Sequence, residues 1–210
     1  MKIIGFSSGG VSREGNADRM VKAIMEKSGF ESEFVKLADL TYSGCKGCVD
    51  LCAKPQVCRM DDDLMPYYQK VKDADAVVVG SSVYFGGINA MAASFLERFF
   101  GYRHVSLAIK DKPFVLAVSG GGNLETVSEG FRNALRPSMV NILDAVQYTS
   151  GIPPCFSCGR HKECRIGGLY TARGEAAHKL DIKPEFFHKW ENDPRTVAWI
   201  ETAAEKLRNL

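Results

Sequence analysis

Four cysteines lie within one short segment of the chain and could together hold a metal. They are Cys45, Cys48, Cys52 and Cys58, separated by two, three and five residues. So short a segment cannot build a folded core of its own, and thiolates at this spacing are typical ligands of an iron–sulfur cluster or of zinc. Two disulfides or four unrelated thiols would also fit the count, but cysteine usage in an intracellular chain points to metal or redox chemistry. The segment therefore predicts a bound metal centre.

A second group of cysteines follows about a hundred residues later. Cys155, Cys158 and Cys164 are close in sequence, with His161 between them. Three thiolates plus a histidine suit structural zinc, and three thiolates with an external ligand could hold a second iron–sulfur cluster. Small buried thiols in an irregular segment are the alternative, and His161 taken alone is expected to be a surface residue. We predict that this group also binds a metal centre.

Composition sets limits on the class of protein. The chain has 210 residues, 45% hydrophobic and 25% charged, with a net charge of +2. This is ordinary for a globular domain with a sizeable core, and nothing indicates a nucleic-acid or membrane partner. The first six residues run directly into a glycine-rich turn, and no apolar stretch approaches the roughly 18 residues of a spanning helix. We expect a cytoplasmic protein.

Strands and helices are predicted to alternate along the chain. A valine run typical of a buried parallel strand covers 76–80, and an apolar stripe at helical spacing covers 88–100. Five such units indicate an α/β fold with a flavodoxin-like, doubly wound five-stranded parallel sheet. The predicted strands are 2–6, 33–37, 76–80, 113–118 and 142–148, and the predicted helices are 16–28, 64–71, 88–100, 125–135 and one that begins after Asp193.

Three parts are predicted within this organisation. Residues 1–150 form the flavodoxin-like domain, with the cysteine loop at 43–60 inserted after the second strand. Residues 151–192 interrupt the alternation and are predicted to be a cysteine-containing arm. Residues 193–210 are predicted to form a last helix that packs back on the domain, with proline in its first turn.

Glycines and hydroxyl side chains follow the first predicted strand and lead into a helix. Glycine permits a tight turn, and a helix N-terminus favours a negative charge, so this loop predicts a phosphate site. It lacks the lysine and the spacing of a Walker loop and differs from the dinucleotide-binding glycine pattern; a plain helix-entry turn is the alternative. The candidate residues are Ser8, Gly10, Ser12, Arg13, Gly15, Asn16 and Ala17.

Two further loops follow the third and fourth predicted strands. The first offers an aromatic pair suited to a flat heteroaromatic ring, and the second offers backbone amides that could approach a ring edge. In a flavodoxin-like strand order these strands neighbour the first, so the three loops together predict one flavin mononucleotide (FMN) site. The candidate residues are Ser82, Val83, Tyr84, Phe85 and Gly86, and then Ser119, Gly120, Gly121 and Gly122.

At these positions the chain resembles the flavodoxin-like NADPH-dependent FMN reductases and, within them, the iron–sulfur flavoproteins of anaerobic prokaryotes. The resemblance covers about residues 1–135 and rests on the phosphate loop, the segment 83–86, the glycine run 120–122 and the compact cysteine loop. It implies noncovalent FMN, a [4Fe–4S] cluster and a homodimer or homotetramer. It also implies that Ser8, Ser12, Asn16 and Ala17 hold the phosphate, while 82–86 and 119–122 surround the isoalloxazine.

The predicted function is electron transfer by an FMN-dependent oxidoreductase. FMN exchanges two electrons with a substrate and an iron–sulfur cluster exchanges one, so the pair would link NAD(P)H or another two-electron substrate to a carrier such as ferredoxin. No residue is predicted to be a catalytic acid or base. The alternatives are an NAD(P)H-dependent FMN or quinone reductase with a structural, zinc-bound or unmetallated cysteine loop, and a non-enzymatic redox or metal sensor.

Overall fold

The computed structural model describes residues 1–11 and 13–210 and contains a parallel sheet at its centre. The strands are β1 (Lys2–Ser8), β2 (Glu31–Lys36), β3 (Ala76–Tyr84), β4 (Gly87–Ile88), β5 (Pro113–Gly120) and β6 (Asn141–Thr149). Five of them run parallel in the order β2-β1-β3-β5-β6, and β4 pairs antiparallel with the end of β3. This order confirms the predicted doubly wound, flavodoxin-like class.

Helices cover both faces of this sheet. They are α1 (Asn16–Ser28), α2 (Val49–Ala53), α3 (Met65–Asp73), α4 (Ala90–Glu97), α5 (Leu124–Leu135), α6 (Cys155–Cys158), α7 (Gly168–Arg173) and α8 (Pro194–Arg208). Buried residues of α1 and α8 share one core with one sheet face, and those of α3, α4 and α5 share a second core with the other. Both faces of the sheet are therefore buried against helices, which explains the uninterrupted valine run of β3.

Local sequence signals account for several element ends. Helix α1 spans the predicted residues and stops at Gly29, whose φ of 73° closes it in the left-handed region. Helix α8 begins with Pro194 in its first turn, and the Asp193 side chain accepts a hydrogen bond from the Arg195 amide. Both predictions are confirmed.

Other boundaries differ from the prediction. The helix predicted over 88–100 is shorter, because α4 ends at Glu97 and a 3₁₀ segment, Arg98–Tyr102, continues the chain. Gly101 in that segment lies against the Cys58 backbone, where a Cβ would come within 2.8 Å of the Cys58 nitrogen. Glycine also favours helix least among residues other than proline, so the chain tightens here. Strand β3 continues to Tyr84, and the two-residue strand β4 was too short to show a pattern.

The segment between β6 and α8 consists of short helices and 3₁₀ turns. Trp190, near its end, is buried in the core shared by α1, α8 and the sheet. Along the part of the chain that the structure describes, no helix has both the length and the apolar character needed to cross a membrane.

Candidate functional site

Asn89 ties together the carboxyl ends of β1 and β3. Its Nδ2 donates to the Ser8 carbonyl at 2.6 Å, and its backbone amide donates to Ser81 Oγ at 3.3 Å. Its Oδ1 accepts from the Ala92 amide at 3.1 Å and so caps α4. Sequence reasoning missed this residue, although an asparagine directly before a helix-forming run is a recognisable N-cap signal.

An ion pair between Asp18 and Lys36 supports the predicted phosphate loop. Asp18 is fully buried, and its Oδ2 accepts from the Gly15 amide at 2.9 Å and lies 3.2 Å from Lys36 Nζ. Lys36 in turn donates to the Arg13 carbonyl at 3.1 Å. The loop is thus fastened to α1 and to the end of β2. The sequence signal for Asp18, an acidic residue in a first helical turn, was present but unused.

Among the residues predicted to contact phosphate, the backbone amides are more available to an anion than the side chains. Ser8 Oγ already donates to the Gly80 carbonyl at 3.3 Å. Ala17 has a methyl side chain, so only its backbone amide could contact an anion. The first amides of α1 have no acceptor within the helix, which leaves them available to a phosphate. A Cβ added at Gly10 would meet no atom within 4 Å, so the loop borders open space. Ser12 lies outside the described residues, and its contact stays a prediction.

Gly9 is the position in this loop that tolerates a side chain least. A Cβ there would overlap Asp18 Oδ1 and lie 2.6 Å from Asp18 Cγ. The carboxylate could move aside only by giving up Gly15 and Lys36, so we expect Gly9→Ala to lower the free energy of unfolding in urea by about 1–3 kcal/mol. In the control Gly130→Ala, within α5, an added Cβ meets no atom within 4 Å and should stabilise by up to about 1 kcal/mol. Equal values for the two variants would contradict this account.

The β3–β4 hairpin presents aromatic side chains at the same edge. Phe85 and Gly86 form its two-residue turn with φ values of 49° and 75°. The left-handed region is unfavourable for phenylalanine, and such strain is found preferentially at binding sites. Tyr84 is half-exposed and Phe85 is fully exposed, so both rings are available to a flat ligand.

The end of β5 completes this edge. Gly120 is close to Val83, because a Cβ on Gly120 would lie 2.6 Å from the Val83 Cβ, whereas Gly121 and Gly122 face open space. Ser82 pairs in register with Ser119. The structure therefore brings all three predicted loops to one edge of the sheet, because parallel neighbours end there together.

The arm lies against the phosphate loop, which sequence reasoning did not anticipate. The Arg13 guanidinium stacks 4.5 Å over the Phe187 ring. The Asn16 side chain donates to the His188 carbonyl at 3.1 Å and accepts from the Trp190 amide at 3.2 Å. Asn16, predicted to contact phosphate, therefore has partners in the arm.

The first cysteine group clusters around Cys52. Burial raises the pKa of the Cys52 thiol, and the nearby charges of Cys48, Cys58 and Cys45 raise it further, against a lowering backbone hydrogen bond. Cys52 Sγ also lies 3.0 Å from His104 Nε2. Cys45, Cys48, Cys52 and Cys58 together supply the four thiolates by which proteins hold an iron–sulfur cluster, so the chemistry of this donor set fits such a group.

Arg98 anchors this cysteine group from the protein interior. Its side chain is buried, and its Nε donates to Cys58 Sγ at 3.1 Å while NH1 contacts Asp62 at 2.5 Å. Burial by itself lowers the pKa of Arg98, but the hydrogen bond to Asp62 and the neighbouring Tyr68 and Cys58 outweigh it and raise the pKa. Cys58 is therefore in contact with a fixed positive charge.

The position of this group relative to the three loops corrects an expectation. The two cysteine groups follow the second and fifth parallel strands in sequence, so strand order alone predicts both of them at the edge where the three loops lie. Helix α4, about 12 Å long at 1.5 Å per residue, leads away from that edge, and the ring of Phe99 just beyond it is 6.2 Å from Phe114 at the start of β5. Cys58 contacts Arg98 and Gly101 in the same region. The first group thus lies towards the opposite edge, since its loop continues down beside α4.

The cysteines of the second group are partly or fully exposed, whereas the first group contains two buried cysteines. Cys155 and Cys164 both approach Gly167, and Cys158 is exposed on α6. His161 is only 7% exposed, so the expectation of a surface histidine is wrong. Among the described residues, no three cysteine, histidine or acidic side chains are already arranged to hold a single metal ion.

A five-stranded parallel sheet of this order, with three ligand loops at one edge, defines the flavodoxin-like class. The family model for NADPH-dependent FMN reductase matches residues 1–152, and the chain belongs to that family. The chemistry of this edge is compatible with FMN, because the first amides of α1 can bind a phosphate, the rings of Tyr84 and Phe85 are exposed, and Gly10, Gly121 and Gly122 border open space.

Several curated proteins are similar to this chain. An iron–sulfur flavoprotein of Methanocaldococcus jannaschii is 37% identical over 101 residues, which are 47% of this chain and 51% of that protein. An iron–sulfur flavoprotein of Methanosarcina thermophila is 32% identical over 128 residues, or 59% of this chain and 65% of that protein. The matches thus span about half to two thirds of these relatives. They confirm the resemblance stated from the sequence.

Solved structures agree with the fold. An NAD(P)H:quinone oxidoreductase from Methanothermobacter marburgensis aligns with a TM-score of 0.56 at 14% identity, covering 100% of this chain and 95% of that one. A flavone reductase aligns with a TM-score of 0.56 at 18% identity, covering 100% of this chain and 61% of that one. At such low identity these likenesses concern the architecture alone.

Proposed function

We propose that this protein is an FMN-dependent oxidoreductase that passes electrons between FMN and a [4Fe–4S] cluster. The observation that carries the proposal is the presence, in one domain, of two separate donor sets. One is the edge formed by the ends of β1, β3 and β5, and the other is the four-cysteine group anchored by Arg98. Membership of the FMN reductase family and similarity to iron–sulfur flavoproteins support it.

The residues at the flavin edge would bind and orient the cofactor. The first amides of α1 would neutralise the phosphate, while Asp18 and Lys36 hold the loop that presents them. Tyr84 and the backbone of 120–122 would border the ring. When bound, FMN supplies two-electron exchange with a substrate and single-electron exchange with a carrier. The chain itself needs no acid or base for this role.

The residues around the cysteine group would set the electrostatics of the cluster. Cys45, Cys48, Cys52 and Cys58 would be its ligands. The N–H···S bond from Arg98 to Cys58 places positive charge beside one ligand, which favours the more negative, reduced state and raises the reduction potential. Glu97, which accepts from the Cys45 amide at 3.3 Å, fixes the start of the loop.

The partners follow from these two cofactors. We propose that NAD(P)H or a small carrier such as ferredoxin exchanges electrons with the protein, and that the protein works as a homodimer or homotetramer. Phe85, exposed at the tip of the hairpin beside the flavin edge, is an apolar residue that such assembly or a bound substrate would cover.

An absorption spectrum of anaerobically purified protein, with iron, sulfide and zinc assays, tests the proposal. We expect flavin bands over a broad shoulder that bleaches with dithionite, together with about four irons and four sulfides per chain. Flavin without iron would overturn it in favour of an NAD(P)H-dependent FMN or quinone reductase with a structural, zinc-bound or unmetallated cysteine loop. Protein that neither retains nor binds FMN would contradict both.

A further inference from the structure

We infer that Cys155, Cys158, His161 and Cys164 bind a zinc ion that fastens the arm beside the phosphate loop. The four residues recur at every third position of the chain. Three thiolates and one imidazole are among the ligand sets that hold structural zinc in tetrahedral geometry. This site is separate from the first cysteine group and does not rest on the proposed function.

His161 has the hydrogen-bonding arrangement of a metal ligand. Its Nε2 lies 2.7 Å from the Leu180 carbonyl oxygen, which can only accept, so Nε2 carries the proton. In the neutral imidazole Nδ1 then carries the lone pair, and this atom is buried without a hydrogen-bond partner among the described residues. A buried polar atom without a partner costs free energy, which a bound cation would recover. Histidines that bind metals commonly donate their other ring N–H to a backbone carbonyl in this way.

Two of the thiols already approach a common point. A Cβ on Gly167 would lie 2.8 Å from Cys155 Sγ and 3.2 Å from Cys164 Sγ, so both sulfurs lie beside the same backbone. The Gly167 amide donates to Cys164 Sγ at 3.2 Å. Such an N–H···S bond stabilises a thiolate, the form that binds metal.

Among the described residues no three of these four side chains yet surround one point, so metal binding must draw the ligands together. Cys158 in particular is exposed and must turn inward. It lies on α6, which has only four residues, and the chain reverses directly after it at Gly159, with a φ of 71°. A helix this short, followed directly by a reversal of the chain, does not hold the exposed Cys158 side chain in one position. A bound metal can therefore draw Cys158 towards the other ligands. Zinc binding would release the protons of the three thiols as thiolates form.

The site would be coupled to the phosphate loop through aromatic contacts. Phe156, between the first two ligands, lies 5.8 Å from Phe186 and 5.9 Å from Phe187 by ring centroids. Phe187 in turn lies beneath Arg13 of the phosphate loop. A zinc ion would therefore hold the arm in the position where it contacts that loop.

Zinc and iron analysis of purified full-length protein tests this inference. We expect about one zinc per chain in the unaltered protein, with X-ray absorption distances of about 2.3 Å to sulfur and about 2.0–2.1 Å to nitrogen. The Cys155→Ser/Cys164→Ser variant should lose zinc at least about tenfold while iron and FMN stay unchanged. His161→Ala should also lose zinc, whereas His161→Cys, which supplies a fourth thiolate, should retain it.

His178→Ala is the matched control. His178 also lies in the arm and contacts the Cys164 carbonyl at 3.1 Å, but it is no ligand in this proposal, so zinc should stay bound. Absence of zinc from the unaltered protein, or zinc unchanged in the double variant, would overturn the inference. Loss of iron from the double variant would also overturn it, in favour of a second iron–sulfur cluster. Because zinc content is independent of electron transfer, failure of the proposed function would leave this result interpretable.

Discussion

Replacing Cys45 and Cys48 with serine is expected to remove the iron and sulfide while FMN stays bound. Both residues are partly or fully exposed, so their substitution should leave the core intact. Serine is a poor ligand for an iron–sulfur cluster, which is held by thiolates, and the loss of two ligands should reduce iron from about four per chain to below about one. The flavin edge is built from other loops and contains neither residue.

The matched control is Cys158→Ser, which alters an exposed cysteine of the second group. Iron and sulfide should stay at the level of the unaltered protein in this variant. Iron retained in the Cys45→Ser/Cys48→Ser variant would contradict the ligand assignment. Joint loss of iron and FMN would contradict the independence of the two sites. Iron, sulfide and flavin assays on the same preparations distinguish these results.

Arg98→Met is expected to lower the free energy of unfolding by about 3 kcal/mol or more, because it leaves buried partners unpaired. Arg98 is 1% exposed and bonds both Asp62 and Cys58, and its guanidinium also lies 4.9 Å from the centre of the Tyr68 ring. Methionine keeps much of the volume but offers no donor. The side chain therefore stabilises the fold and the cysteine group together.

Urea unfolding of Arg98→Met, Arg98→Lys and Arg132→Met measures this effect. Lysine keeps the charge but cannot reproduce the guanidinium fork, so its loss should be intermediate. Arg132 pairs with Glu129 at 3.3 Å on an exposed face of α5, and its replacement should cost less than about 1 kcal/mol. Similar values for Arg98→Met and Arg132→Met would contradict the assigned role of Arg98.

The sheet and most helix ends were predictable because they depend on local chemistry. The valine run of β3, the glycine after α1 and the Asp193-Pro194 pair before α8 each act through their immediate neighbours in the chain. The alternation of strands and helices then left few topologies. The division of the predicted helix at Arg98 was not visible, because it depends on the approach of Cys58, forty residues away in the chain.

The meeting of the three predicted loops at one edge of the sheet was predictable for a similar reason, since neighbouring parallel strands must end together. The residues that support it were not, because their partners are distant in sequence. Asp18 meets Lys36 across the end of β2, Asn89 bonds the carbonyl of Ser8, and Asn16 bonds the arm at His188. Each of these polar side chains is of a type that is common on protein surfaces. Its partner becomes evident only in the folded structure, where buried polar groups must be hydrogen-bonded.

Residue types and their spacing were thus sufficient to indicate the fold class, the flavin loops and the two cysteine groups. Ligand chemistry and periodicity are properties of short stretches of chain. The location of the first cysteine group beside the far end of α4, the burial of His161 and the contact between the arm and the phosphate loop were settled by packing. Packing depends on which distant side chains meet in space, and no short stretch of sequence contains that information.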